Sequence, residues 1–253
     1  MKILKSKRLI PLKIISFLVA VFLIIAAFSR LIPNGTISYT TPNNAIGKKA
    51  IALTFDDGPG KETERLLDGL REYDAKASFF IVGNKAEKYP DTLKRAYNEG
   101  HLIGSHTYSH IDFYKTDIEN IKSDINKNIE VIKSITGEKP VFLRAPYGNI
   151  TPFQLKQLDS VFIHWSASSL DWFREEEEFV YNRLMNIAKD GAIILLHDTR
   201  KTTVDAVLRA LPELKAQGYE MVRVDELITR NGEEIKKGVA YRSCEYNKNA
   251  FAF

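Results

Sequence analysis

Cysteine is nearly absent: the 253 residues contain one, Cys244. A single thiol excludes an internal disulfide and any thiolate metal cluster, and leaves reducing and oxidising compartments equally open. A dense basic stripe with interleaved aromatics is missing too. The net charge of +4 is modest, and part of it sits at Lys2, Lys5, Lys7, Arg8 and Lys13. Nucleic acid is therefore not an expected partner. No internal repeat is visible, and the first strand of the folded region is followed by Asp56-Asp57-Gly58-Pro59 rather than by a glycine-rich phosphate loop. That argues against a dinucleotide-binding open sheet. With 44% hydrophobic and 27% charged residues the composition is that of an ordinary globular chain, long enough for one large core.

What is present begins with an export pattern. A basic stretch at 2–8 precedes an apolar run at 14–28, interrupted only by Ser16. The run is shorter than the ~20 residues of a usual membrane span unless its apolar flanks extend it. Residues 1–32 are read as a signal anchor or a signal peptide, and 33–48 as a polar, turn-rich linker. Residues 49–230 form the folded domain, followed by a polar tail at 231–253. The basic charges keep the N-terminus cytoplasmic and place the remainder outside, either membrane-anchored or secreted.

Within the domain, apolar runs of strand length alternate with segments of helical period. Strands are expected at 51–57, 77–82, 101–106, 141–144, 161–165, 192–198 and 219–224. Helices are expected at 62–73, 90–99, 116–135, 152–158, 175–188 and 204–217. The clearest helix repeats Ile118, Ile121, Ile125, Ile129 and Ile132 every three or four residues, a core stripe. Such alternation requires a parallel sheet with crossover helices. Asp56 and Asp57, His106, Arg144, Asp171 and His197 fall at carboxyl ends of successive strands, which a barrel gathers at one mouth. The expected fold is an α/β, distorted (β/α)7–8 barrel preceded by an N-terminal membrane segment.

The candidate chemistry lies at those ends. Neighbouring strand residues point to opposite faces, so Asp56 and Asp57 are expected to serve different partners. His106 and His110 stand four apart; on a helical turn they share a face and grip one divalent ion with a carboxylate from the first strand end. His197 follows an apolar strand, as either a structural hydrogen bonder or a general acid. Arg144-Ala145-Pro146-Tyr147-Gly148 combines a fixed cation, a stiff turn and backbone N–H groups, the ingredients of an oxyanion site. Asp171-Trp172 sets a carboxylate beside a flat apolar face suited to a sugar ring.

In order and spacing, Thr54-Phe55-Asp56-Asp57-Gly58-Pro59, His106-Thr107-Tyr108-Ser109-His110, Arg144-Ala145-Pro146-Tyr147, Leu170-Asp171-Trp172 and Ile194-Leu195-Leu196-His197 resemble the five motifs of the polysaccharide deacetylases, the NodB-like enzymes of carbohydrate esterase family four. The likeness spans roughly residues 48–230. It implies a distorted barrel that uses a divalent metal to remove N-acetyl groups from amino sugars; the anchor and its short linker point to a cell-envelope glycan, with peptidoglycan favoured over chitin-type oligomers or an exopolysaccharide. By position, Asp57, His106 and His110 would bind the metal. Zinc is the expected ion, although Co²⁺ or Ni²⁺ suits the same donors. Asp56 would be the base and His197 the acid. Arg144 would orient Asp56, and Asp171 would hold Arg144. The Tyr147 N–H would serve the oxyanion, with Pro146 beside it, while Trp172 and Leu195 would line the acetyl pocket. A monomer is expected. One departure is Ser166-Ala167-Ser168-Ser169, where many relatives carry a further Asp. A silent glycan-binding domain and a glycosidase are the competing readings. The first has no use for an acid and a base, and the second would need two carboxylates flanking the bond and no metal.

Overall fold

The computed structural model describes residues 48–243 apart from 159 and 231. The proposed membrane segment, residues 33–47 of the 33–48 linker and the end of the tail lie outside the described residues. Among those described, no helix is long and apolar enough to cross a membrane.

The organising strand is β1 (Lys49–Gly58), buried along nearly its whole length. It pairs in parallel with β2 (Ser78–Ile81) on one side, β7 (Ile193–His197) on the other, and at its amino end with β8 (Tyr219–Met221). Beyond β2 the sheet continues through β3 (Leu102–Ser105), β4 (Phe142–Leu143), β5 (Val161–Ile163) and β9 (Val239–Tyr241). Beyond β7 it ends in β6 (Ala167–Ser168). Every ladder is parallel, as crossover connections require. The sheet curls into a distorted, incomplete barrel. An isolated antiparallel bridge between Ala192 and Ser243 brings the chain after β9 to the start of β7.

Among the described residues, eight helices pack on the sheet: α1 (Thr63–Glu72), α2 (Gly83–Lys88), α3 (Pro90–Asn98), α4 (Ile118–Thr136), α5 (Pro152–Gln157), α6 (Glu177–Ile187), α7 (Lys201–Ala216) and α8 (Val224–Thr229). Side-chain alternation along β1 sorts the core. Ile51, Leu53 and Phe55 join Leu66, Leu67, Leu70, Val204, Val207 and Leu211 under the helices. Ala50 and Ala52 join Phe80, Ile163, Ile193 and Leu227 on the opposite face, and Thr54 and Asp56 share that parity. Each fully buried aliphatic side chain contributes roughly 1.5–3 kcal/mol.

Helix α4 starts at Asp117, whose carboxylate accepts from Asn120 N (3.0 Å), and stops at Gly137 in the left-handed region. Ile121, Ile125 and Ile132 of its stripe are buried. So is Asn128, which donates to Ile81 O (2.8 Å) and Ser105 Oγ (2.9 Å), tying the ends of β2 and β3 together.

Four short elements depart from the periodicity reading. Helices α2 and α8 form where no helix was assigned, and β6 and β9 form where no strand was assigned. The tail assigned to 231–253 therefore stops being a tail at Val239–Tyr241, which completes the sheet against β5.

Candidate active site

The mouth is built from strand ends in register. Asp56 on β1 is the ladder partner of His197 on β7. Ser105 pairs with Leu143, so His106 and Arg144 follow side by side, and Arg144 N donates to Ser105 O (2.9 Å). Asp56, Asp57, His106, His110, Leu195 and His197 all line one cavity of about 390 Å³, together with Tyr147, Gly148, Trp165, Trp172 and Arg200.

The two aspartates do not face opposite sides. The ladder between β1 and β2 slips between Asp56 and Gly58, and Asp57 sits in the left-handed region (φ 69°). This bulge re-aims the Asp57 side chain into the mouth that Asp56 already faces. His106 Nε2 lies 3.7 Å from Asp56 Oδ2 and 3.6 Å from Asp57 Oδ1. The segment 106–110 is likewise not the helical turn expected. It is a loop with Thr107 (φ 66°) and His110 (φ 56°) left-handed, held by Asp124 of α4, whose Oδ1 accepts from Tyr108 N (2.7 Å) and Ser109 N (3.1 Å).

Asp57, His106 and His110 bring one ligand atom each to within 4.8 Å of one another. His106 Nδ1 donates to Arg144 O (2.8 Å), which fixes the tautomer and turns the Nε2 lone pair inward. His110 packs edge-on against Tyr147, centroids 4.8 Å apart, and its Nε2 lies 3.1 Å from Asp57 Oδ1. That carboxylate oxygen is buried with no hydrogen-bond donor satisfying it. Burial alone would raise the Asp57 carboxyl, but the close approach of His110 and the imidazoles of His106 and His197 hold it far below the usual carboxylate range. Burial lowers the His106 imidazole despite Asp56 and Asp57, favouring the neutral ligating form. An orphaned carboxylate oxygen beside two imidazole nitrogens fits a divalent ion.

Arg144 is fully buried. Its Nη1 donates to Asp56 Oδ1 (2.7 Å) and Thr54 Oγ1 (2.8 Å), Nε to Ile163 O (3.0 Å) and Nη2 to His164 O (2.9 Å). Asp171 does not hold it, contrary to the resemblance-based expectation. Asp171 instead accepts from His197 Nδ1 and His197 N (both 2.8 Å) and from Thr203 Oγ1 (2.9 Å). A fully buried carboxylate takes the donors its own loop reaches, and residue 171 follows β6, the neighbour of β7, rather than β4. Burial opposes charge on both partners, yet the hydrogen bond and charge of Asp171, with Asp56 and Asp57 behind, raise the His197 imidazole above its ordinary value. The same bond from His197 keeps Asp171 below its own, against burial. Nδ1 is thus committed, and Nε2 is the nitrogen left for the cavity.

Tyr147 lies in the 3₁₀ turn Pro146–Gly148 with φ 60°. Pro146 is buried and is not among the lining residues, whereas Leu195 and the 55%-exposed Trp172 are. Sequence reasoning missed Thr54, Asp124, Arg200 and Asp198. Only the position of Arg200 and Asp198 beside His197 was a signal.

Asp198 is fully buried and accepts from Thr63 Oγ1 (2.5 Å), which in turn accepts from Gly60 N (2.8 Å). A Cβ on Gly58 would lie 2.5 Å from Asp198 Oδ1, so glycine is required where the bulge meets this side chain. Burial lifts the Asp198 carboxyl to about 7 from 3.8, only partly opposed by Thr63 and His197. The folded state therefore holds this proton more tightly than the unfolded state. The resulting stability is complete below about pH 4 and is lost as pH rises through about 7. Asp198→Asn is expected to remove the loss: thermal melts should show a gain in Tm over the parent that is larger at pH 8 than at pH 5. An equal difference at both pH values would contradict it.

Comparison with known proteins places this geometry. Residues 43–160 match the family model described as polysaccharide deacetylase. A peptidoglycan-N-acetylglucosamine deacetylase of Bacillus cereus is 36% identical over 194 residues, covering 74% of this chain and 70% of the relative. The peptidoglycan-N-acetylmuramic acid deacetylase PdaC of Bacillus subtilis is 36% identical over 191 residues, covering 75% of this chain. The chain spans 40% of the length of PdaC. Among solved structures, a T48 deacetylase with substrate matches with TM-score 0.75 and 38% identity, covering 79% of this chain and all of the other. Sequence and fold agree, and the chain belongs to the polysaccharide deacetylase family.

Proposed function

We propose that the chain is a metal-dependent hydrolase that removes N-acetyl groups from the amino sugars of peptidoglycan. The observation that carries this reading is the pairing of Asp56 and His197 in register across adjacent strands, beside the three-donor set of Asp57, His106 and His110. Amide hydrolysis needs a base for the attacking water and an acid for the departing amine, and two differently anchored side chains meet that need. Arg144 fixes Asp56 through Oδ1, so Asp56 takes the proton from water. His197 Nε2 gives a proton to the amine nitrogen as the C–N bond breaks, and Asp171 steadies the imidazolium from Nδ1. The Tyr147 N–H faces the charge that develops on the acetyl oxygen, and Leu195 and Trp172 shelter the methyl group. A divalent ion, zinc in our reading, with Co²⁺ or Ni²⁺ as alternatives, would be held by Asp57, His106 and His110 and would supply Lewis-acid polarisation.

The peptidoglycan assignment is supported by the named substrates of the Bacillus relatives. We further propose that residues 1–32 tether the domain to the outer face of the membrane through the linker at 33–48. The chain should release acetate from N-acetylglucosamine oligomers and from purified peptidoglycan when supplied with Zn²⁺ or Co²⁺. Each product should lose acetyl groups at unchanged chain length by mass spectrometry. Shortened chains would identify a glycosidase, and binding without acetate release a silent glycan-binding domain.

A further inference from the structure

We propose that Arg200 is a substrate-binding residue that recognises a carboxylate on the glycan, namely the lactyl carboxylate of a muramic acid residue. This inference rests on the deacetylase reading above and deepens it. Among the described residues lining the catalytic cavity, Arg200 alone carries a permanent positive charge. It stands three residues after His197, on the turn into α7, and its backbone N–H donates to His197 O (3.4 Å). The guanidinium therefore borders the reacting centre without touching the acid, the base or the donor triad.

Its partner is the revealing feature. Arg200 Nη1 donates to Glu175 Oε1, and the Glu175 side chain is 72% exposed. An ion pair at that exposure contributes little, about 0–1 kcal/mol. The contact uses one nitrogen and one oxygen, whereas a guanidinium fork can take a carboxylate through two parallel N–H bonds. Glu175 thus behaves as a replaceable stand-in, a carboxylate held where an incoming carboxylate can displace it at small cost. A neutral chitin-type oligomer offers this cation nothing. A peptidoglycan strand bears a lactyl carboxylate on every other sugar, next to the N-acetylglucosamine unit, or carboxylates of the peptide stem where the lactyl group is amidated.

The test uses the full chain and three substrates: peptide-free glycan oligomers with free lactyl carboxylates, the same oligomers as methyl esters, and peptide-substituted glycan. The parent chain should deacetylate the free acid with kcat/KM roughly tenfold above that of the ester, the difference lying in KM, in line with one charge-assisted bidentate contact. Arg200→Gln should erase that ratio and Arg200→Lys restore part of it, with unchanged melting curves. Glu175→Gln should enlarge the ratio by freeing the fork, and in Arg200→Gln the Glu175→Gln change should add nothing. If instead Arg200→Gln lowers kcat/KM on the peptide-substituted glycan while the acid-to-ester ratio of the peptide-free oligomers is near one in the parent chain, the recognised carboxylate belongs to the stem and the lactyl assignment is overturned. An acid-to-ester ratio near one in the parent chain, or a ratio unchanged in Arg200→Gln, overturns the proposal while leaving the deacetylase reading intact. No acetate from any of the three substrates overturns both.

Discussion

Replacing His106 with alanine is expected to abolish retention of a divalent ion and to lower acetate release by at least about 10²-fold, the scale on which loss of an outer-shell partner already acts. The imidazole supplies one of three donors, and its Nδ1 bond to Arg144 O holds the ring in the ligating tautomer. Without it, Asp57 Oδ1 and His110 Nε2 remain as two donors. The fold should survive. Deleting the ring leaves Arg144 O without its donor and opens a small void, a cost of about 1–3 kcal/mol, inside a typical stability of roughly 5–15 kcal/mol. Metal content after dialysis, acetate release and thermal melting separate the effects. Full activity in an ion-free His106→Ala chain would remove the metal from the proposed mechanism. His110→Ala, at a partly exposed position, should repeat the loss with a smaller change in melting.

Asp171→Asn is the second large effect. Asparagine preserves the size of the side chain but not its charge, and its amide cannot accept at both oxygens as the carboxylate does from His197 Nδ1, His197 N and Thr203 Oγ1. In serine proteases the corresponding change at the aspartate behind a catalytic histidine costs about 10⁴-fold through the wrong tautomer. A kcat loss of about 10²–10⁴-fold is expected here. The pH profile supplies the decisive sign. Asp171 raises the His197 imidazole, so the protonated acid persists above the ordinary imidazole value. Removing the charge lowers that value, and the basic limb of the kcat profile should move to lower pH. A loss of rate with the basic limb unmoved would show that Asp171 acts only in packing. Arg144→Lys provides the contrast: it loosens the aim of Asp56 and should lower kcat with the basic limb unmoved.

The residues that chemistry requires at strand ends were legible in sequence because apolar runs break there into Asp, His and Arg. Strands β1, β2 and β7 are dominated by side chains that can only be interior, so periodicity found them. Strand β6 is Ala167-Ser168 and β9 is Val239-Ala240-Tyr241. Stretches that short carry no period, and only their neighbours in the sheet make them strands. The partner of Asp171 was misread for a related reason. Arg144 and His197 are both chemically reasonable donors to a buried carboxylate, and the choice is made by strand order, which places β6 against β7. The bulge at Asp57 was equally hidden. Aspartate tolerates left-handed backbone better than most residues, yet nothing in Asp56-Asp57 announces that the period-two rule fails between them. Asp198 and Asp124 were overlooked because a carboxylate that braces a loop looks, in one dimension, like any surface acid.

Arg144 has a consequence of a different kind. Among the described residues the sheet path ends at β6 and β9, and no continuous ring of backbone ladders enforces its curl there. The guanidinium runs like a spoke across the hollow, from the end of β4 to Thr54 and Asp56 on β1 and to the carbonyls at the end of β5. The part that aims the base is also a part that holds the radius of the wall. Drift that slackened the wall would misalign the base at once, so selection on turnover polices the architecture without any separate pressure on stability.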